Sequence, residues 1–292
     1  MISWMLDRRG RFSPLRAITL LLLILPAAQM LLLWSLGALA APLGADGMST
    51  GRPVMAVIHG TGDWALYFLL ISLAVTPLRF VLDWQRVTVL RRRIGVAAAC
   101  YAAAHLALYC VDQKYNPITI ATEIALRFYL TVGFVVVLGL IALWITSTDS
   151  WVQRLGRRWK SLHRLTYPLT ALALYHYFLQ TRIDVSASVF VAGLFVWELL
   201  WRLQPSTWRR AWWPLPALAL LTGGLTALIE TAWYGLATSI DPLRVLAANL
   251  DIDFGPRPAV AVALVLLAGS LLAAGVQAWK EWRPASVKDI AS

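Results

Sequence analysis

The sequence predicts an all-α polytopic membrane bundle of about eight transmembrane helices, with both termini cytoplasmic. Three observations predict it. Hydrophobic residues make up 59% of the 292 residues and charged residues 14%, against roughly 45–50% and about 25% in ordinary globular proteins. With a mean hydropathy of +0.66, the chain has too little polar surface to cover a water-soluble core. Eight apolar runs approach the ~20 residues that a spanning helix needs, and Lys and Arg alternate between dense and sparse connections.

The runs lie at about 17–41, 57–81, 94–111, 128–146, 162–181, 185–203, 213–238 and 258–279. Breakers separate them: Pro42 and Gly44, Pro117, Pro205, then Pro242, Gly255 and Pro256. The first run ends near Ala38-Leu39-Ala40, which resembles a signal cleavage site. It is far longer than the 7–15 residues of a signal-peptide core, so a retained anchor is expected.

The basic residues set the orientation. Arg8, Arg9, Arg11 and Arg16 precede the first run, and Arg79, Arg86, Arg91, Arg92 and Arg93 fill the second connection. Arg154, Arg157, Arg158, Lys160 and Arg164 fill the fourth, Arg202, Arg209 and Arg210 the sixth, and Lys280, Arg283 and Lys288 the C-terminus. The other connections hold only Arg52, Lys114, Arg127, Arg182, Arg244 and Arg257. A bias that alternates at every crossing places both ends inside and supports an even number of spans.

The same pattern excludes other classes. The net charge of +11 is dispersed between apolar runs, so it reads as topology and not as a nucleic-acid surface. Cys100 and Cys110 sit ten residues apart in one run, too far to bridge within a helix. They form no CxxC or CxxCH motif, which argues against a thiolate zinc site and a c-type cytochrome. There is no Walker A loop, and Gly223-Gly224 lies inside an apolar run.

The four histidines carry the functional signal, because an imidazole in hydrocarbon is costly and tends to mark function. His105 lies about eleven residues into span three and His176 about fourteen into span five, both running outward. At 1.5 Å per residue both stand roughly 16–21 Å above the inner edge. Two imidazoles at one depth on parallel helices suit a six-coordinate b-type haem. Ala98 and Ala102 share the face of His105. Small side chains there leave room for a porphyrin or equally for close helix packing.

His163 lies roughly 20 Å nearer the inner edge than His176. The matching step back from His105 lands on Arg91 and Arg92. A second bis-histidine haem is therefore not supported by spacing. His163 is left to bind a haem with a non-histidine partner, to contact a flavin or to cap a helix. His59, in His59-Gly60-Thr61-Gly62, reads as an interfacial loop histidine.

Several segments together carry a family resemblance. They are Thr61-Gly62-Asp63-Trp64-Ala65-Leu66, Leu73-Ala74-Val75-Thr76-Pro77-Leu78-Arg79, Arg92-Arg93-Ile94-Gly95 and Thr146-Ser147. The string Leu155-Gly156-Arg157-Arg158-Trp159-Lys160-Ser161-Leu162-His163-Arg164-Leu165 completes the set. Over about 54–203 the chain resembles the MsrQ (YedZ) family of the ferric-reductase-like transmembrane superfamily. The resemblance implies a b-type cytochrome that passes electrons outward to a periplasmic molybdopterin methionine-sulfoxide reductase. It implies a cytosolic flavin reductase as donor, FMN as carrier, and haem association of His105, His163 and His176. The family's usual Arg-Pro-Tyr stands here as Arg127-Phe128-Tyr129, and residues 213–280 add two spans to the usual six.

Three domains are expected: 1–53 as tail, first helix and outer loop, 54–204 as the haem-binding domain, and 205–292 as an added helix pair with its tail. Arg157, Arg158, Lys160 and Arg164 are candidate contacts for a flavin phosphate or an acidic reductase surface, since guanidinium forks match phosphate. Arg127 and Arg182 are candidates for haem propionates or for interfacial anchors. Glu198 and Arg202 have the i,i+4 spacing of an ion pair. Glu230 is a buried acid without a local partner, and Asp241, Asp251 and Asp253 make the last outer loop acidic. Without a dinucleotide-binding or molybdopterin domain, the chain reads as an electron-transfer subunit and not a self-sufficient enzyme. The alternatives are a quinol-linked cytochrome b or metal reductase of the membrane and, from another class, a haem-free transporter.

Overall fold

The computed structural model describes residues 11–36, 53–181, 184–249, 251 and 255–282, and every regular element among them is a helix. The cleavage-like Ala38-Leu39-Ala40, Arg182 and Asp253 lie outside the described residues. The helices are α1 (Pro14–Ser35), α2 (Pro53–Val81), α3 (Arg91–Asp112), α4 (Pro117–Leu126), α5 (Phe128–Ile145), α6 (Asp149–Leu155) and α7 (Arg157–His163). They continue as α8 (Thr166–Thr181), α9 (Ser186–Leu203), α10 (Leu215–Ala237), α11 (Pro242–Ala248) and α12 (Pro258–Trp282). The chain is a multi-pass membrane protein: seven helical stretches among the described residues are long and apolar enough to cross a bilayer.

The fifth expected span differs from its run. Instead of one helix over 162–181, the chain forms α7, a break at Arg164–Leu165, and then the 16-residue α8. Sixteen residues rise about 24 Å, short of a ~30 Å hydrocarbon core. The Thr166 hydroxyl donates to the His163 carbonyl at 2.8 Å, satisfying a carbonyl at the break. Between α6 and α7, Gly156 adopts φ +50°, a left-handed turn that favours glycine and lets the helix axis change direction.

A helix was not expected between spans three and four, yet α4 forms there. Asn116 caps it, its side-chain oxygen accepting from the Ile118 and Thr119 amides at 3.1 and 3.2 Å. Pro117 then occupies the first turn, where its missing N–H costs nothing. At ten residues, about 15 Å, α4 is too short to span.

Packing divides the chain into two units. The first is Met1–Ser72 with Val89–Thr181; the second is Leu73–Thr88 with Arg182–Ser292. The expected 54–204 segment contributes to both. Within the first unit, α5 packs on α3, α4 and α8. The link of α3 to α1 follows from Pro26, which interrupts the α1 hydrogen-bond ladder. The Tyr101 hydroxyl inserts there, accepting from the Ala27 amide at 2.9 Å and donating to the Leu23 carbonyl at 3.0 Å.

In the second unit α10 packs on α9, α11 and α12, and Val81, Trp201, Leu215, Leu218 and Ala273 form a buried cluster. Two buried polar devices hold it. Pro77 lacks the N–H that would bond to the Leu73 carbonyl. Arg202 Nη2 supplies the missing donor at 2.6 Å, and Nη1 donates to the Glu198 carbonyl. Glu230, fully buried, pairs with Arg257, and its other oxygen accepts from the Asn249 side chain at 2.9 Å. The acid that lacked a partner in its own run thus finds two in the segment between α10 and α12.

Candidate haem-ligand site

The site belongs to the first unit. His105 on α3 and His176 on α8 bring their ring centroids to 6.5 Å, with the planes crossed at 83°. Each ring is tethered to the main chain of another helix. His105 Nδ1 lies 2.7 Å from the Ile58 carbonyl of α2, and His176 Nδ1 lies 2.7 Å from the Tyr129 carbonyl of α5. A carbonyl only accepts, so each Nδ1 carries the proton and each Nε2 keeps its lone pair. That is the tautomer a metal-ligating imidazole needs, with the second ring nitrogen held by a carbonyl.

The two halves repeat one pattern. Each histidine lies 47 residues after its carbonyl partner. Each also packs on a glycine four residues beyond that partner: Gly62 beside His105, and Gly133 beside His176. A Cβ added at Gly62 would stand 3.1 Å from His105 Nδ1 and 3.2 Å from Cε1. A Cβ at Gly133 would stand 2.7 Å from His176 Cε1 and 2.9 Å from Nδ1. Glycine is required here for close approach.

The spacing fits one metal ion between the rings. With a metal–imidazole bond of about 2.0–2.1 Å and nitrogen about 1.2 Å from the ring centre, two axial imidazoles stand about 6.4–6.6 Å apart. The observed value is 6.5 Å. Two axial ligands suffice when a porphyrin supplies the other four. Among the described residues there is no cluster of three or more His, Cys, Asp or Glu that could hold a bare ion. Ala98 and Ala102 are buried within the helix packing, 0% and 5% exposed.

The rest of the predicted set separates. His163 ends α7, where its ring stacks on Trp159 at 3.9 Å. Its Nδ1 lies 3.2 Å from the Trp159 carbonyl and its Nε2 3.3 Å from the Ser147 hydroxyl. The Trp159 indole donates to the Thr146 carbonyl at 2.8 Å, fixing the stack. Burial pushes the His163 pKa below its ordinary value, and Arg91 and Arg92 push the same way. Arg92 Nη1 itself reaches Asp149 at 2.5 Å. Arg157, Arg158, Lys160 and Arg164, neighbours of this stack in sequence, are all exposed. Arg127 makes a two-pronged pair with Glu123, at 2.5 Å from Nε and 3.1 Å from Nη2.

Sequence reasoning missed the glycines, both carbonyl tethers and a polar group beside His176. In that group the Tyr177 hydroxyl hydrogen-bonds with Tyr67 and Asp63, while Gln180 Nε2 lies 3.4 Å from His59 Nε2. The signal for the tethers was an offset of 71 residues. It relates Ile58 to Tyr129, Gly62 to Gly133 and His105 to His176. It also relates Arg92 to His163, so arginine stands on one side where histidine stands on the other.

A family model described as the ferric reductase like transmembrane component matches residues 61–174, which include His105 and His163. The chain is 43% identical over 162 residues to the protein-methionine-sulfoxide reductase heme-binding subunit MsrQ of Xanthomonas euvesicatoria pv. vesicatoria, covering 55% of this chain and 72% of that one. Against the MsrQ of Rhodospirillum rubrum it is 40% identical over 161 residues, covering 54% and 77%. Against that of Xanthomonas axonopodis pv. citri it is 42% identical over 171 residues, covering 58% and 75%. No solved structure matches the chain. Identity at this level across more than two thirds of these relatives shows that the chain belongs to the MsrQ family of ferric-reductase-like membrane proteins.

Proposed function

We propose that this protein is the b-type haem electron-transfer subunit of a methionine-sulfoxide reductase system in the bacterial inner membrane. The observation that carries the reading is the pair of tethered imidazoles, His105 and His176, at the spacing of one shared metal ion. The relatives' name, heme-binding subunit, supports the same reading. When bound, haem supplies the one-electron iron couple. The chain's own residues do the rest. The Nε2 atoms of His105 and His176 would hold the iron. The Ile58 and Tyr129 carbonyls keep both rings in the ligating tautomer and raise their basicity.

Electrons enter from the cytoplasmic side, from a flavin reductase with FMN as carrier, and leave to a periplasmic molybdopterin sulfoxide reductase. Arg157, Arg158, Lys160 and Arg164 receive the flavin phosphate or the reductase surface. His163, stacked on Trp159 at the end of the same basic helix, serves the inner half of the path, not the iron pair. Arg127 and Arg182 are candidate propionate contacts.

The test is the reduced-minus-oxidised spectrum of the full chain purified from haem-replete cells, followed by timed reduction. The reading expects b-type bands that appear on adding flavin reductase, NADH and FMN. Absence of haem bands overturns it. Rapid reduction by quinol with none by the flavin system replaces it with the quinol-linked cytochrome.

A further inference from the structure

We propose that Gly62 and Gly133 are positioning residues that fix the azimuths of the His105 and His176 rings, holding their planes near perpendicular across the iron. The inference rests on the haem reading above and adds what sets the iron's ligand field.

Two constraints act on each ring. The carbonyl tether at 2.7 Å fixes where Nδ1 points. The backbone anchor and the tether leave each ring a limited swing, which a surface packed against the ring narrows further. Gly62 and Gly133 supply that surface, one helical turn beyond each tethering carbonyl. Because the same carbonyl-to-glycine step recurs on α2 and α5, each histidine meets the same kind of seat. The planes then cross at 83°.

The seats differ in tightness. Alanine at 133 would put Cβ 2.7, 2.9 and 3.1 Å from three atoms of the His176 ring. The ring must turn or stretch its tether to Tyr129. Alanine at 62 meets His105 at 3.1 and 3.2 Å, which a displacement of a few tenths of an ångström relieves. The His105 ring therefore keeps most of its azimuth in Gly62→Ala, whereas the His176 ring loses it in Gly133→Ala.

Ring azimuth has an electronic consequence. Perpendicular imidazole planes donate equally into the two iron dπ orbitals and leave them nearly degenerate. Near-degeneracy gives a low-spin ferric signal of very high anisotropy. Rotating one plane toward the other splits the orbitals and produces a rhombic signal.

The experiment is electron paramagnetic resonance of the oxidised, haem-loaded full chain in wild type, Gly62→Ala and Gly133→Ala, with haem content and midpoint potential measured alongside. The expected result is a highly anisotropic low-spin signal in wild type. Gly133→Ala should move it to a rhombic one with a shifted potential, and Gly62→Ala should move it less in the same direction. A Gly133→Ala protein that keeps its haem and gives the wild-type signal overturns the inference. If Gly133→Ala loses its haem, Gly62→Ala decides: a shifted signal supports the positioning role and an unchanged one overturns it. A rhombic wild-type signal also overturns it. A wild type without any bis-imidazole signal contradicts the haem assignment instead, so the two failures are distinguishable.

Discussion

His105 and His176 come from helices whose histidines are 71 residues apart, yet their rings face each other at 6.5 Å, each tethered to a carbonyl 47 residues earlier. His163 lies outside this arrangement, at the end of α7, whose Arg157, Arg158 and Lys160 are exposed. His163→Ala should therefore keep the low-spin haem while slowing its reduction by flavin reductase and FMN. Stopped-flow reduction checks this, with dithionite as the control that bypasses the inner path. An unchanged flavin rate would remove His163 from the path.

How much of this was legible beforehand depends on what each residue needed. The depth of His105 and His176 followed from helical rise alone, and the rings do meet. Gly62 and Gly133 were not legible, because a glycine's use depends on which ring leans on it from another helix. The offset that relates them was present in the sequence but had no meaning until both tethers were seen. Pro117 was read as a breaker because proline ends helices more often than it starts them. Here the Asn116 cap turns the same residue into the start of α4. Glu230 lacked a partner in its own span because its partners, Asn249 and Arg257, lie 19 and 27 residues on.

Arg202 takes the place of the N–H that Pro77 lacks. Arg202→Leu leaves the Leu73 carbonyl unsatisfied and should cost about 1–3 kcal/mol. In a Pro77→Ala background the helix supplies its own donor, so the same substitution should cost measurably less. A thermal-unfolding double-mutant cycle reads the coupling. Equal costs in both backgrounds would show that the bond to Leu73 contributes nothing.

The Glu230–Arg257 pair sets the order of three variants. Glu230→Leu leaves the partly buried guanidinium and the Asn249 side chain without their acceptor and should destabilise by about 1–3 kcal/mol. Adding Arg257→Met should recover much of the loss, because a matched apolar pair replaces a broken ionic one. Denaturation midpoints in one detergent rank the three proteins. A double variant less stable than Glu230→Leu alone would contradict this account.

His163 predicts the sign of a pH effect. Burial, with Arg91 and Arg92, lowers its folded pKa below the ordinary 6.5. Its neutral ring contributes stability that is complete above the unfolded value and is lost as pH falls through the folded one. His163→Phe should remove that increment, so the difference in melting temperature between wild type and variant should shift in the variant's favour below pH 6.5. A difference that stays constant from pH 8 to 5 would show that the folded and unfolded pKa values are equal.

The haem content and low-spin signal of three purified variants, His105→Ala, His176→Ala and His163→Ala, test the central claim most directly. The ring pair predicts that either of the first two loses most of the bis-imidazole signal and that the third retains it. Loss of the signal in His163→Ala, with His105→Ala spared, would contradict the assignment of His105 and His176 to one iron.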